Sequence, residues 1–261
     1  MHYVRPKKHL GQHFLRDENI ARNIASSLTM HGGYQNVVEV GPGMGVLSKY
    51  LMEDARIRWF GVEVDRDSVA WLREHYPLAD ERIIEGDFLK LPLDRLFKDQ
   101  LIAVIGNFPY NISSQILFKA LEHRNQVTEL VGMFQKEVAR RVASPPGSKD
   151  YGILSVLCQA FYEVEYLFQV DEHVFQPPPK VKSAVIRLKR KPGEIPCDPR
   201  LLFTLVKTAF NQRRKTLRNS LKGLPVNWDA LPDYLPGKRP EQLGLDEFFL
   251  MTQQIQKKEQ Q

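Results

Sequence analysis

The sequence predicts an α/β fold, an open and mostly parallel doubly wound sheet followed by a small helical domain, and three observations lead there. Between residues 37 and 133, apolar runs of strand length alternate with amphipathic stretches long enough for crossover helices. A segment rich in breakers, Lys191-Pro192-Gly193-Glu194-Ile195-Pro196, then separates that series from a tail with helical patterning and Pro-containing turns. At 261 residues the chain suits one large domain, residues 1–190, and one small one, residues 196–261.

The elements follow in order. Strands are expected at Val37-Val38-Glu39-Val40, Arg58-Trp59-Phe60-Gly61-Val62, Arg82-Ile83-Ile84, Leu101-Ile102-Ala103-Val104-Ile105 and Glu129-Leu130-Val131-Gly132-Met133. A helix from Lys136 to Ala143 runs into the breaker Ser144-Pro145-Pro146-Gly147-Ser148. Two more strands, Val164 to Val170 and Val181 to Leu188, flank Pro177-Pro178-Pro179, a loop able to close an antiparallel addition to the sheet. The Gln- and Lys-rich residues Gln253 to Gln261 read as a frayed end.

Composition narrows the function classes. With 43% hydrophobic and 26% charged residues the chain can bury a full core and is not disordered. A net charge of +6 points toward a polyanionic partner. Cys158 and Cys197 are far apart, with no Cys or His at ligand spacing, so neither a disulfide framework nor a metal site is expected. Arg5, Lys7 and Lys8 lead into no apolar leader, and no stretch approaches about 18 apolar residues. The expected setting is the cytoplasm, without membrane contact.

The chemistry gathers where strands end. Glu39-Val40-Gly41-Pro42-Gly43-Met44-Gly45 follows the first strand and opens a helix, the context in which glycines let a nucleotide-like ligand approach the backbone. Val46 stands where a dinucleotide fingerprint needs its last glycine, which favours S-adenosylmethionine, a ligand with no pyrophosphate. Glu63 ends the next strand about 20 residues on, placed to accept both ribose hydroxyls. Asp87 ends the third and can accept from an adenine amine, with Phe88 covering the ring.

Asn107-Phe108-Pro109-Tyr110 ends the fourth strand on the same edge. An exocyclic adenine amine is a poor nucleophile because its lone pair is delocalised into the ring. The Asn107 side-chain oxygen and a backbone carbonyl of the Phe108-Pro109 turn can accept its two hydrogens, drawing the nitrogen toward a tetrahedral geometry that attacks a sulfonium methyl. Pro109 fixes φ and brings no competing donor. Tyr110 offers a ring on which an extruded base stacks, worth about 1–3 kcal/mol, which offsets much of the cost of flipping it out.

These two stretches, with Gly11-Gln12-His13-Phe14-Leu15, Gln135-Lys136-Glu137-Val138-Ala139-Arg140-Arg141, Phe175-Gln176-Pro177-Pro178-Pro179-Lys180-Val181 and Ala209-Phe210-Asn211-Gln212-Arg213-Arg214-Lys215-Thr216, resemble the adenine dimethyltransferases of small-subunit ribosomal RNA. The resemblance spans nearly the whole chain and implies a Rossmann-like, S-adenosylmethionine-dependent methyltransferase domain. It also implies dimethylation of two adjacent adenosines in a hairpin near the 3′ end of 16S RNA, on the assembling 30S particle; the chain is expected to be a monomer. It carries cofactor contact to His13, Leu15, Gly41, Glu63, Asp87 and Asn107, to which the residues themselves add Gly43 and Phe88, and the base pocket to Asn107, Phe108, Pro109, Tyr110 and Phe175. Phe175 becomes the wall opposite Tyr110. Two positions depart from the family's pattern, which usually has Asn at His13 and Leu at Phe108; the larger Phe108 is expected to tighten the pocket.

RNA contact is expected from Lys207 to Lys222, where Lys207, Arg213, Arg214, Lys215, Arg218 and Lys222 meet no acid and Leu205, Ala209, Phe210, Leu217 and Leu221 turn inward. Arg5, Lys7, Lys8 and Arg16 form a second basic stretch. Three other readings stay open: a large-subunit RNA methyltransferase of the resistance type, a non-catalytic RNA-binding factor on the same fold, and a nicotinamide oxidoreductase. Intact Asn107, Pro109 and Tyr110 speak against the second, and the glycine spacing against the third.

Overall fold

The structure, a computed structural model, describes residues 4–255. Its strands are β1 (Phe14–Leu15), β2 (Asn36–Val40), β3 (Arg58–Glu63), β4 (Ile83–Glu85), β5 (Ile102–Asn107), β6 (Val127–Gln135), β7 (Tyr162–Val170), β8 (Phe175–Gln176) and β9 (Ser183–Arg190). Its helices are α1 (Glu18–Ala25), α2 (Ser48–Glu53), α3 (Arg66–His75), α4 (Leu93–Phe97), α5 (Ser113–Glu122), α6 (Lys136–Ala143), α7 (Ile153–Phe161), α8 (Pro199–Asn211), α9 (Leu217–Ser220) and α10 (Leu245–Gln253). The chain divides into two compact units: the residues up to Ala139 with Glu163–Arg190, and Arg140–Tyr162 with the residues from Lys191 on.

The first unit is built on a seven-stranded sheet in the order β4-β3-β2-β5-β6-β9-β7. Strands β4, β3, β2, β5 and β6 are parallel, and β9 lies antiparallel to β6 from Glu129↔Lys189 to Gln135↔Ser183. All five residues of β2 are buried, as befits a parallel strand covered on both faces. Every strand read from the apolar runs is present, and β6 extends beyond its run because a strand pairs along each of its edges. Glu129, buried inside β6, is tolerated because its carboxylate accepts hydrogen bonds from Thr29 and the Tyr34 hydroxyl. Two strands escaped the sequence pattern: β1 and β8, two residues each, pair antiparallel with Leu15 opposite Phe175.

In the second unit, α8 packs against α7, α9 and α10. Asp198 caps α8 by accepting from the Arg200 and Leu201 N–H groups, with Pro199 in the first turn, where its missing N–H is not needed. Leu202, Leu205, Val206 and Ala209 are its buried stripe. The Phe210 ring lies 6.2 Å from that of Tyr151 and 6.1 Å from that of Phe248. The expected first domain, residues 1–190, included Arg140–Tyr162; the structure groups that segment with the helices, because α7 puts its apolar side chains against α8. Gln253, expected to begin a frayed end, closes α10 and donates to the Pro196 carbonyl, and Ile255 bridges to Val226. Residues 256–261 lie outside the described residues.

Candidate active site

Strand order reverses between β2 and β5, and in an open parallel sheet the crevice beyond the carboxyl ends at such a switch point is where ligands bind. A cleft opens there, lined by Gly41, Gly43, Glu63, Asp87, Phe88, Asn107, Pro109 and Tyr110 together with the segment from His9 to Phe14. Gly41 has φ of 67°, and a Cβ placed on it would meet nothing within 4 Å, so the backbone is bare toward the cleft. Gly43, at φ of 56°, could not gain a Cβ without pressing on the Phe14 ring 3.0 Å away.

Glu63 is buried at the end of β3. One carboxylate oxygen accepts from the Gly43 N–H and the other from the Asp65 N–H, each at 2.9 Å. Burial raises its pKa, and these backbone N–H groups pull the other way. Each oxygen keeps a lone pair for a further donor. Asp87 caps the turn after β4 by accepting from the Leu89 N–H. The neighbouring Phe88 ring is buried, with the Lys119 ammonium 5.6 Å from its centre. Leu15, expected at the cofactor, is buried and lines an adjacent cleft with Glu39, Gly41 and Asn107.

The Asn107 amide Nδ2 donates to the His13 carbonyl at 2.8 Å. A carbonyl can take only a donor, so this bond fixes which end of the amide is which and leaves Oδ1 as the unengaged acceptor. In the turn that follows, the Pro109 carbonyl accepts from the Ile112 N–H and the Tyr110 carbonyl from the Ser113 hydroxyl. Among the described residues, the Phe108 carbonyl is the one in this turn that accepts no hydrogen bond. Phe108 lines the cleft, and its ring is buried over Gly132 and Gly106, edge-on to Phe134 at 5.1 Å. Glycine on both strands makes the room that the larger ring needs.

Tyr110 is half-buried, and its hydroxyl shares a 2.6 Å hydrogen bond with Ser183, a fully buried residue of β9. The ring stacked on Tyr110 is that of His13, with centroids 5.4 Å apart and planes tilted by 28°. The His13 Nδ1–H donates to the Pro177 carbonyl at 2.8 Å. Phe175, expected as the opposite wall, is 2% exposed in the core beside Leu15 and does not line the cleft.

Gln12, Asp65 and Ser183 were not foreseen. Asp65 receives Lys7 and Gln12, which hold its carboxyl below the ordinary value although burial pushes it up. Those contacts lay the N-terminal segment along the cleft. Gly11-Gln12-His13 was a signal for that segment; for Ser183 the sequence carried none. They also remove Lys7 from the second basic stretch, since its ammonium pairs with Asp65 and Asp67.

In the helical unit, α8 stops at Asn211, so Arg213, Arg214 and Lys215 sit in the turn before α9 rather than on one long helix. Arg213 donates to the Ser148 and Lys149 carbonyls and lies 3.8 Å from Glu241. Arg214, Lys215 and Arg218 are exposed and, among the described residues, form no ion pair. Among the described residues there is no cluster of side chains suited to a metal ion and no helix long and apolar enough to cross a membrane.

The family model described as ribosomal RNA adenine dimethylase matches residues 4–231. A ribosomal RNA small subunit methyltransferase A from Flavobacterium johnsoniae is 54% identical over 257 residues, 98% of each chain. One from Cytophaga hutchinsonii is 52% identical, over 98% of this chain and 99% of its own. Among solved structures, 23S rRNA methyltransferase ErmE has a TM-score of 0.70 at 25% identity, covering 93% of this chain and 99% of its own. A dimethyladenosine transferase from Plasmodium falciparum, at 24% identity, shares the fold with a TM-score of 0.77 over 92% of this chain and 96% of its own. The chain belongs to the ribosomal RNA adenine dimethylase family.

Proposed function

We propose that this chain transfers methyl groups from S-adenosylmethionine to the N6 amines of two adjacent adenosines in a hairpin near the 3′ end of small-subunit ribosomal RNA. The observation that carries the reading is the Asn107 amide at the cleft, whose nitrogen is turned to the His13 carbonyl so that Oδ1 is left as its acceptor. Membership of the family and the small-subunit names of its relatives at 52–54% identity support it.

The cleft fits the cofactor. Glu63 has one lone pair per oxygen left for the ribose hydroxyls, the bare backbone at Gly41 admits a nucleoside, and Asp87 beside Phe88 suits an adenine edge and face. When bound, adenosylmethionine supplies an electrophilic methyl on its sulfonium. The chain's own groups prepare the other reactant. Asn107 Oδ1 and the Phe108 carbonyl accept the two amine hydrogens, loosening the lone pair from the ring. Pro109 keeps that carbonyl in place. Tyr110, tied to Ser183, carries the extruded base. Phe175 acts from below, holding β1 and with it His13 at the cleft.

Arg214, Lys215 and Arg218, with Arg213 in a smaller part, contact RNA phosphates. The partner is the assembling 30S particle in the cytoplasm, and the protein works as a monomer, its cleft being complete within one chain. The test is incubation with labelled adenosylmethionine and undermethylated small subunits, followed by digestion. N6,N6-dimethyladenosine is expected; label bound to protein but absent from RNA would overturn the reading.

A further inference from the structure

We propose that His13 is a stand-in for the target base, covering the stacking face of Tyr110 until an adenine displaces it. The inference rests on the reading of Tyr110 as the base platform. His13 and Tyr110 both line the cleft, and the imidazole lies over the phenol ring at 5.4 Å with a 28° tilt. Two stacking intervals of at least ~4.5 Å between centroids do not fit into that separation, so adenine cannot enter between the rings. It has to take the place of one of them. Tyr110 is fixed by its bond to buried Ser183, whereas the His13 ring is held by one bond, from Nδ1 to the Pro177 carbonyl.

The covered face is the one that matters. The backbone carbonyl of His13 orients Asn107, so the residue whose ring covers Tyr110 also sets the amine-activating amide, and all three residues line one cleft. An adenine in the imidazole's place enters the cleft that Asn107 lines. The exchange is favoured because adenine offers a larger ring and two amine hydrogens to the acceptors of the turn, neither of which imidazole supplies. The His13 backbone need not move, so Asn107 keeps its orientation while the side chain turns away.

The experiment compares His13→Ala and His13→Phe with the unmodified protein, reading kcat/KM for undermethylated small subunits at saturating adenosylmethionine. His13→Ala uncovers Tyr110 and should raise kcat/KM by about two- to tenfold, the worth of one aromatic pair. His13→Phe keeps a ring on Tyr110 and should stay at or below the unmodified protein. An unchanged or lower value for His13→Ala would overturn the proposal, as would an equal rise in both variants, which would assign the effect to the Pro177 bond. Failure of every protein to form N6,N6-dimethyladenosine would instead strike the underlying function; normal transfer without the His13→Ala gain strikes the stand-in alone.

Discussion

At the carboxyl edge of the sheet, Glu63, Asp87 and Asn107 each use part of their hydrogen-bonding capacity on a nearby backbone group. In the turn between α8 and α9, Arg214 and Lys215 are exposed and form no ion pair among the described residues. The contrast follows from what each region meets. A reacting amine has to be addressed within a fraction of an ångström, so the groups that meet it are locked beforehand. A phosphate backbone is met by charge, whose effect falls off slowly, and mobile side chains serve well. Arg213 crosses the division, being a cation fixed by two carbonyls and a carboxylate.

Six substitutions break or sharpen this contrast. Asn107→Ala removes the oriented acceptor and should lower the rate of transfer by roughly 10²–10³-fold, by analogy with the loss of one preorganised polar group in an active site. Its unfolding midpoint should stay near that of the unmodified protein; near-normal turnover would show that locking is not needed.

Glu39 lies fully buried beneath the glycine turn, where burial raises its pKa to about 7 despite hydrogen bonds from Ser48 and Trp59. Because the folded value exceeds the ordinary 4.5, its contribution is fully present below about pH 4.5 and is lost as pH rises through about 7. Glu39→Gln should abolish that loss, about 3 kcal/mol. Thermal scans should show the variant gaining on the unmodified protein from pH 5 to pH 8, and a pH-independent difference would contradict the assignment.

Gly132→Ala would set a Cβ 2.1 Å from the Phe108 ring and 2.7 Å from Phe134. Overpacking of this kind costs about 1–3 kcal/mol. The denaturant midpoint should fall and activity with it, since the Phe108 turn rests on that contact; an unchanged midpoint would mean that the turn is not braced from below.

The smallest effects belong to the basic turn. Arg214→Ala or Lys215→Ala should leave stability unchanged and reduce the slope of log K against log salt by about 0.7–0.9 each. Arg213→Ala should lower the melting temperature more than the slope. If all three changed the slope alike, the distinction between fixed and mobile cations would fall.

Much of the first region was legible because each chemical group directly follows an apolar run, and a strand's end fixes where its next residue lies. That held for Gly41, Glu63, Asp87 and Asn107. It failed where position depends on partners distant in sequence: Ser183 lies 73 residues from Tyr110, and β1 and β8 are two residues each, too short for any period. Helix α7 was missed because seven of its nine residues are buried, leaving little amphipathic contrast. The anchoring of Arg213 was not legible, since the carboxylate and carbonyls that hold it come from other segments. Phe175 read as a pocket wall from its motif, yet its pairing with Leu15 turns it into the core.

The short ladder of β1 with β8 ties together stretches whose neighbours, His13 and Pro177, are 164 residues apart. A closure of that span is made late in folding, because its entropy has to be met before the contact repays it. Synthesis adds a further delay, since the residues that wall one side of the cleft emerge first and have no strand to lie against until Phe175 and Gln176 follow. The nascent chain can tie this segment to Asp65 and Asn107 early, but its last fastening, to Phe175, Gln176 and Pro177, waits until two thirds of the chain has been made.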